Sequence, residues 1–215
     1  ARTGLSPAAA RSLVEDLISY NILWPEPRLK RIAVLGTSVL ADELRDALLG
    51  DHFQPRTPLH TESAADYIDN VAGYLPIVAV DMLGGAVDWA RALHRSTATW
   101  LPVSMLDARG IIGPVRVNGA GPCPMCAHLH RIDADAQWHE VAQRADAAAR
   151  PGDPIVRTAV VMHAVVTIRR LMGRPCPPGA PQARPLAGEL REIDPYGMDQ
   201  HRFVLEHPRC PYCSG

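Results

Sequence analysis

The chain has 215 residues, with 22 lysines and arginines against 23 aspartates and glutamates and a formal net charge of −1. A chain of this size can bury one substantial hydrophobic core with a small appendage. The small charge excludes a bulk electrostatic attraction to nucleic acid or to an anionic membrane, and no apolar run approaches the ~20 residues of a membrane-spanning helix.

The first segment predicts a helix over residues 6–20. Ser6 is a suitable N-cap, Pro7 fits the first turn, and Asn21 can end the helix in a left-handed conformation. An apolar stripe runs along this helix and consists of Leu13, Val14, Leu17 and Ile18.

A strand, a glycine turn and a helix come next. Arg31–Gly36 is an apolar run typical of a strand buried on both faces, and leucine spacing predicts a helix over Thr37–Leu49. This order opens a doubly wound nucleotide-binding fold. Its G-x-G-x-x-G/A fingerprint is incomplete, because Gly36 and Ala41 are present but Ser38 replaces the glycine that lets backbone approach a phosphate. The pattern therefore predicts the fold rather than a nucleotide site.

The alternation of strands and helices continues. Pro76–Asp81 predicts a central strand with Asp81 at its carboxyl end, residues 84–95 predict a helix, and Leu101–Leu106 predict another strand. Ile111–Val117 predicts an antiparallel strand. We therefore predict an α/β fold with a doubly wound, Rossmann-like, mostly parallel sheet.

The second half predicts mainly helices. The expected elements are a loop at 130–138, a helix over about 134–149, a long apolar helix over Ile155–Leu171, an irregular crossover at 173–188, and short strands at Leu190–Ile193 and Arg202–Leu205. His163 lies inside the long helix, and we interpret it as a hydrogen-bonded core histidine.

Two cysteine pairs distinguish the chain: Cys123-Pro-Met-Cys126, and Cys210-Pro-Tyr-Cys213 near its end. Each pair places two thiols about one turn apart, so both can bind one ion. Two pairs supply the four sulfur ligands of a closed tetrahedral zinc site. Such a site ties the C-terminus to the middle of the chain, and it is structural because four thiolates leave no open position.

Redox dithiols and structural disulfides also fit CxxC pairs. A redox dithiol needs a strand that leads into a helix beginning at the first cysteine, and disulfides need an exported chain, for which no signal peptide is visible. We interpret the pairs as a zinc site in a cytoplasmic protein, where thiols stay reduced. Cys176 is expected to take no part, and His128, His130 and His207 are expected to surround the site.

These features resemble the ThiF-like, ubiquitin-activating-enzyme-like superfamily, which has a doubly wound sheet and often a zinc bound by two distant CxxC pairs. Ile111–Val117 and Gly121–Trp138 are similar to the cyclodehydratase-associated proteins of azole-modified (TOMM) peptide pathways, a form of RiPP biosynthesis. There a Gly-Pro strand, a cysteine pair, His-Arg, an Asp and a Trp recur in this order. The resemblance covers roughly residues 29–215.

The resemblance implies a partner protein rather than a catalyst. In those pathways a YcaO-type cyclodehydratase performs the ATP chemistry, while the ThiF-like subunit binds the leader of the precursor peptide and presents its core. It also implies a homodimer. We expect residues 1–28 to be the remnant of a winged-helix peptide clamp, 29–118 a Rossmann-like ThiF-type core, and 119–215 the zinc-bearing helical and C-terminal half of the same domain. A whole clamp needs more residues, so we expect that either an N-terminal segment or internal loops are missing from the sequence.

Active adenylating members of the superfamily hold ATP with an intact glycine turn, a ribose-binding acid after the second strand and a magnesium-binding acid at a later strand end. Here Asp51–Arg56 is irregular and offers no convincing match for the ribose acid, and Asp81 matches the magnesium position only loosely. We expect a vestigial nucleotide site at Gly36, Thr37, Ser38 and Asp81, no ATP chemistry, and structural zinc as the cofactor.

We therefore expect a non-catalytic partner that binds a precursor peptide and a modifying enzyme, but neither nucleic acid nor membrane. One alternative is an active ATP-dependent adenylating enzyme of the ThiF/MoeB type. A second is a zinc-ribbon nucleic-acid module, against which stands the absence of a basic aromatic stripe beside the cysteine pairs.

Overall fold

The structure is a computed structural model that describes residues 4, 6–20, 22–23, 29–94, 96–147, 152–177, 179–180 and 183–213. The helices in these ranges are α1 (Pro7–Ser19), α2 (Val39–Gly50), α3 (Ala64–Val71), α4 (Ala86–Ala92), α5 (Pro124–Ala134), α6 (Trp138–Ala147) and α7 (Pro154–Leu171). The strands are β1 (Lys30–Leu35), β2 (Phe53–Arg56), β3 (Ile77–Val80), β4 (Trp100–Leu106), β5 (Arg109–Ile112), β6 (Glu189–Ile193) and β7 (Gln200–Phe203).

The described strands form one sheet in the order β2-β1-β3-β4-β5-β6-β7. Strands β2, β1, β3 and β4 run parallel to one another, whereas the β4–β5, β5–β6 and β6–β7 pairs are antiparallel. The structure thus confirms the predicted α/β fold with a parallel core and an antiparallel edge. No described helix combines the length and the apolar character needed to cross a membrane.

Side chains alternate across the strands and fill an apolar layer on each face of the sheet. On β1, Ile32 and Val34 pack with α2 and α7, whereas Ala33 and Leu35 pack with residues of α3 and α4. Burial of one such Ile, Val or Leu side chain stabilises the fold by ~1.5–3 kcal/mol. Helices therefore cover both faces, which confirms the doubly wound arrangement.

Several predicted elements agree with the structure in type and place. Ser6 caps α1, its Oγ accepting a hydrogen bond from the Ala9 backbone N–H at 3.2 Å, and Asp153 caps α7 in the same way. The apolar stripe of α1, however, is not packed on the core, because no residue of this helix is buried. Asn21, the expected end of this helix, lies outside the described residues.

The segment Asp51–Arg56 was expected to be irregular, and that prediction was wrong. Its last four residues form the parallel edge strand β2, which pairs with β1 from Lys30↔Phe53 onward. Pro55 is tolerated because an edge strand has no partner on one side. Phe53 is buried and lies under the guanidinium of Arg174, 4.0 Å from the ring centroid, so it anchors the strand to the end of α7.

Helix α5 was also missed. The residues expected as a loop at 130–138 belong in part to this helix, which begins at the first cysteine pair and runs to Ala134. Cys123 takes the extended conformation of an N-cap and Pro124 occupies the first helical position, where its missing N–H costs nothing. Helix α6 accordingly starts at Trp138, later than predicted.

Two further predictions are corrected. The strand expected over Ile111–Val117 begins at Arg109 and ends at Ile112, because Gly113 has φ +100°, which is not a strand conformation. His163 is not a core residue: its side chain is 41% exposed, and its Nε2 lies 3.9 Å from an oxygen of Asp199.

Candidate metal centre and nucleotide-type site

The N-terminus of α5 and the segment after β7 bring the two cysteine pairs together. Cys123 precedes α5, and Cys126 follows one turn into the helix. Beyond β7 the chain returns to α5 and turns at His207–Cys210, where the Cys210 backbone N–H donates to the His207 carbonyl at 2.9 Å. The sequence prediction that the two distant pairs meet is confirmed.

The four sulfur atoms have the spacing of a metal site. The Sγ atom of Cys123 lies 3.8 Å from that of Cys126 and 3.5 Å from that of Cys210, and all four sulfurs lie within 4.8 Å of one another. Four sulfurs at ~2.3 Å from a tetrahedral zinc would be roughly 3.8 Å apart. A disulfide would need a separation of about 2.05 Å, and all five cysteines are free thiols. The cluster therefore fits one tetrahedral ion.

Three of the four clustered cysteines are shielded from water, and Cys213 is half-buried. Cys123, Cys126 and Cys210 are at most 1% exposed and pack with Ala90. Around them lie the partly buried side chains of Met125, Leu129 and Tyr212. This largely apolar surrounding favours soft sulfur ligands.

Ionisation of the thiols is unequal. A hydrogen bond from the Cys123 thiol, supported by the His207 backbone N–H, lowers the pKa of Cys126 to about 4. The pKa of Cys123 is raised chiefly because its thiol donates that hydrogen bond, and burial raises the pKa of Cys213 to about 11. The protein alone thus favours one thiolate in the cluster. A divalent cation would allow all four to ionise, because metal-binding cysteines are deprotonated.

A polar network connects the C-terminal end of α5 to residues 204–213, the returning segment that follows β7 and carries the second cysteine pair. The His207 Nδ1 accepts from the Arg209 backbone N–H at 3.1 Å, so its Nε2 carries the proton and donates to Asp133 at 2.9 Å. The Asp133 carboxylate also accepts from the Arg209 guanidinium. These partners, His207 first, lower the pKa of Asp133.

The histidines near the cysteines have distinct positions. His130 donates from Nε2 to the Leu205 carbonyl at 2.9 Å, and its ring meets that of His207 edge-on at 4.6 Å. His128 is buried on the opposite side of α5, against His139. None belongs to the group of four sulfur ligands found among the described residues, and Cys176 is also outside it.

The network of Asp133, His207 and Arg209 was not predicted. His207 was only expected to surround the site, and Asp133 was recognised only as part of a family pattern. A usable signal exists: Asp133 lies seven residues after Cys126, or two helical turns, once α5 is known to be helical.

The residues of the nucleotide-type site also come together. Gly36, Ser38 and Asp81 lie at the carboxyl ends of β1 and β3, where this fold places nucleotides. Gly36 has φ +110°, and a side chain there would meet the Val80 carbonyl oxygen at 2.3 Å. Glycine is thus needed for the close approach of β3, whatever binds at the turn. Thr37 is exposed beside it.

Ser38 and Asp81 are bound to each other. The Ser38 Oγ accepts from the Ala41 N–H at 3.3 Å as the N-cap of α2, and donates to Asp81 Oδ2 at 2.6 Å. The other oxygen, Oδ1, accepts from the Met105 backbone N–H at 3.1 Å. Burial raises the pKa of Asp81 despite these bonds. Both carboxylate oxygens therefore already have protein donors.

The residues between α2 and β2 form an ion pair and hydrogen bonds with arginines of α7 and of the segment that follows it. Asp51 pairs with Arg169 of α7, with Nε 2.6 Å from Oδ2, and the backbone carbonyls of Asp51 and His52 each accept from Arg174 at 2.6 Å. At the glycine turn itself, the Gly36 carbonyl accepts from the Arg45 guanidinium. These contacts hold α7 and α2 in place.

Comparisons with known proteins found matches among solved structures only. No protein-family model and no curated protein matches the chain. A heterocyclase in complex with substrate and cofactor aligns with a TM-score of 0.63 at 16% identity, over 98% of this chain and 32% of that chain. MccB of E. coli with SeMet MccA aligns with a TM-score of 0.61 at 9% identity, over 99% and 83%.

A second heterocyclase, TruD, aligns with a TM-score of 0.56 at 16% identity, over 98% of this chain and 34% of its own length. The chain thus spans about a third of the heterocyclases that it matches. At these identities the likeness shows the fold alone, and it agrees with the predicted doubly wound α/β architecture.

Proposed function

We propose that this protein is a zinc-stabilised ThiF-like partner of a peptide-modifying enzyme. In this proposal it binds a precursor peptide through the leader and presents it to an ATP-using cyclodehydratase of the YcaO type, and it does not adenylate the peptide itself. Zinc held by Cys123, Cys126, Cys210 and Cys213 is structural. Reduced thiols of this kind suit the cytoplasm.

The hydrogen bond between Ser38 and Asp81 carries this proposal. In an adenylating enzyme of this fold, a glycine lets the turn approach phosphate and a free carboxylate holds magnesium. Here the serine hydroxyl stands at that turn and donates to the carboxylate, whose second oxygen accepts from Met105. Both oxygens of Asp81 are therefore weaker magnesium ligands than those of a free carboxylate, because each already accepts a hydrogen bond from the protein.

The shared fold supports a role in peptide modification, because two of the matching structures are heterocyclases, one of them solved with substrate and cofactor. The chain matches only part of those proteins, so the proposed division is that this chain supplies a ThiF-type core over 29–118 and a zinc-bearing half over 119–215. Residues 1–28 are proposed to belong to a peptide clamp. We also propose a homodimer, and only the family resemblance supports this part of the proposal.

An open sheet edge gives a peptide a place to bind. All four residues of β7 are exposed, and the strand pairs only with β6 among the described strands. The Val204 N–H donates to the Gly188 carbonyl on the β6 side, so by alternation the N–H groups of His201 and Phe203 point away from the sheet. An extended peptide can add a strand there. The opposite edge, β2, has Pro55 and so lacks one donor.

Adenylation remains a second candidate, because MccB shares the fold and has been solved with ATP. The test is ATP–pyrophosphate exchange by the purified chain with a precursor peptide present, in parallel with fluorescence anisotropy of the labelled peptide. We expect saturable binding of the peptide, no binding of a scrambled control, and no exchange above background.

Robust exchange that Asp81→Asn abolishes would establish adenylation and refute the partner role. Asp88→Asn, an exposed aspartate on α4, is the matched control for loss of one carboxylate. Absence of both exchange and peptide binding would refute both candidates. Binding to single-stranded nucleic acid that survives moderate salt would instead favour the zinc-ribbon alternative.

A further inference from the structure

A small apolar cavity lies between the sheet and helices α4 and α5, with the start of α6 at its side. Its volume is about 40 Å³, and its apolar wall includes Met82, Trp89, Trp100, Pro114 and Trp138. Since one water needs roughly 10–15 Å³ by this measure, the cavity holds a few waters or one small chemical group. A nucleobase or a nucleotide is too large for it.

Two buried polar atoms in the cavity wall have no hydrogen-bond partner among the described residues. These are the hydroxyl oxygen of Ser104 and the Nδ1 of His128. Ser104 is 2% exposed and His128 is 6% exposed. Buried polar groups in folded proteins are normally hydrogen-bonded, so unpaired ones in a cavity wall indicate a polar ligand atom that completes them.

A cation lies at the same wall. The guanidinium of Arg131 stacks on the Trp138 ring, 4.6 Å from its centroid. Burial lowers the pKa of Arg131 to about 10, yet no carboxylate of the described residues pairs with it. Glu192, the acidic group that acts on it, pairs instead with Arg109 at 2.7 Å and with Arg202 at 3.7 Å. Arg131 is thus a partly buried cation whose attracting acid, Glu192, is shared with two other arginines, and a carboxylate from a ligand can complete its charge pairing.

We propose that this cavity is a binding site for a small carboxylate group that adjoins an apolar one. The carboxylate pairs with Arg131, whose planar fork matches two carboxylate oxygens, and it accepts from the Ser104 hydroxyl. The apolar part lies against Trp89 and Trp100.

The site also has a physical link to the cysteine cluster. Arg131, His128 and Ala127 line the cavity from α5, the helix that carries Cys123 and Cys126 on another face. The position of the guanidinium therefore depends on how α5 is held. The inference that the carboxylate belongs to a peptide rests on the proposed function, whereas the carboxylate site itself does not.

Two sources can supply such a carboxylate: the free C-terminus of a peptide, or an aspartate or glutamate side chain within one. N-acetylglycine represents the first and N-acetyl-aspartate diamide the second. Each is titrated into the full chain with the indole N–H signals of Trp89, Trp100 and Trp138 as the NMR readout. We expect saturable shifts of these signals with at least one probe, and the better probe identifies the source.

Variants distinguish binding of a probe at this site from a general effect of the protein's charge. Arg131→Gln is expected to weaken binding of the better probe about ten-fold or more, because a charge-assisted pair is lost. Arg144→Gln makes the same charge change on α6, where Arg144 is exposed and paired with Glu140, and should bind normally. Ala127→Leu fills the cavity without changing charge and should abolish binding, and Ser104→Ala should weaken it several-fold.

Three results would overturn the inference. They are no saturable shift with either probe at about 50 mM, unchanged binding in folded Arg131→Gln and Ala127→Leu proteins, or tighter binding of inorganic phosphate than of both probes. If the wild-type chain binds neither probe but still captures the precursor peptide, the cavity inference fails and the proposed function stands. If the chain binds a probe normally but does not capture the precursor peptide, the cavity inference stands and the proposed function fails.

Discussion

Ser38 shows how one side chain can decide between binding a nucleotide and completing the fold. A glycine at this turn would leave the first N–H groups of α2 open to a phosphate. The serine instead caps the helix through Ala41 and donates to Asp81 at 2.6 Å. Asp81 has φ +51°, a left-handed conformation that aspartate and asparagine tolerate better than most residues. Both residues therefore have structural roles that need no nucleotide.

The raised pKa of Asp81 predicts a specific pH dependence of the free energy of unfolding. Its pKa is raised above 3.8 in the folded state, chiefly by burial. The folded protein therefore binds this proton more tightly than the unfolded chain, and the contribution of Asp81 to the free energy of unfolding is full below 3.8 and is lost as the pH rises through the folded pKa. Asp81→Asn removes this contribution, so the stability of wild type relative to the variant should fall when the pH is raised from 3.8 to about 7.

Urea denaturation of both proteins at the two pH values measures this difference, with Asp88→Asn as the control at an exposed position of α4. A stability difference that grows with pH would contradict burial as the dominant influence on Asp81. It would instead mean that the hydrogen bonds from Ser38 and Met105 outweigh desolvation.

The sequence predicts that the four cysteines come together but not which groups surround them. Two spaced CxxC pairs suffice for that prediction, because one closed tetrahedral site uses all four sulfurs. The partners of Arg131 and of His207 depend on which faces of α5 meet the sheet and the returning segment. The spacing of residues along the chain does not show which faces of a helix make these contacts. The mistaken prediction of a loop at residues 130–138 also removed the helix from which the faces could have been derived.

At the scale of elements, strongly patterned segments were predicted correctly, whereas β2 and α5, which lack a clear apolar pattern, were not. Strands β1, β3 and β4 are continuous apolar runs, and α7 is a long apolar helix, so their type follows from pattern. Strand β2 has four residues and a proline, and it exists because β1 offers a partner. Helix α5 has a mixed surface, because one face meets the cysteine cluster and another meets the cavity.

The open edge of β7 supplies a prediction about peptide binding. Phe203→Pro removes the one N–H that points outward at this position, and the pairing of β7 with β6 should survive. Phe203→Ala is the matched control, since it removes the same ring but keeps the N–H. If the precursor peptide adds a strand at this edge, Phe203→Pro should weaken its binding about ten-fold more than Phe203→Ala does, as measured by fluorescence anisotropy.

Equal binding by the proline and alanine variants would place the peptide elsewhere on the molecule. Circular dichroism of both variants checks that the sheet is intact. Unfolding confined to the proline variant would contradict the assignment of the Phe203 N–H to the outward side of β7.

For the whole molecule, the sheet and the returning segment form one unit through α5. The cysteine pairs meet at the N-terminus of this helix, His130 contacts Leu205 in its middle, and Asp133 holds His207 and Arg209 at its end. A structural zinc in a small domain contributes about 10–16 kcal/mol of apparent binding free energy. We therefore infer that the metal is the strongest of these three links and that the polar contacts orient the segment.

The most direct test of this account is the zinc content of the purified chain, measured by native mass spectrometry together with alkylation of thiols under native conditions. We predict about one zinc per chain in the wild type and in Cys176→Ser, loss of zinc in Cys126→Ser and in Cys210→Ser, and protection of the four clustered thiols from alkylation. A folded wild-type chain that carries no zinc and whose four thiols all react freely would contradict the metal site, and with it the proposed link between the end of the chain and the sheet.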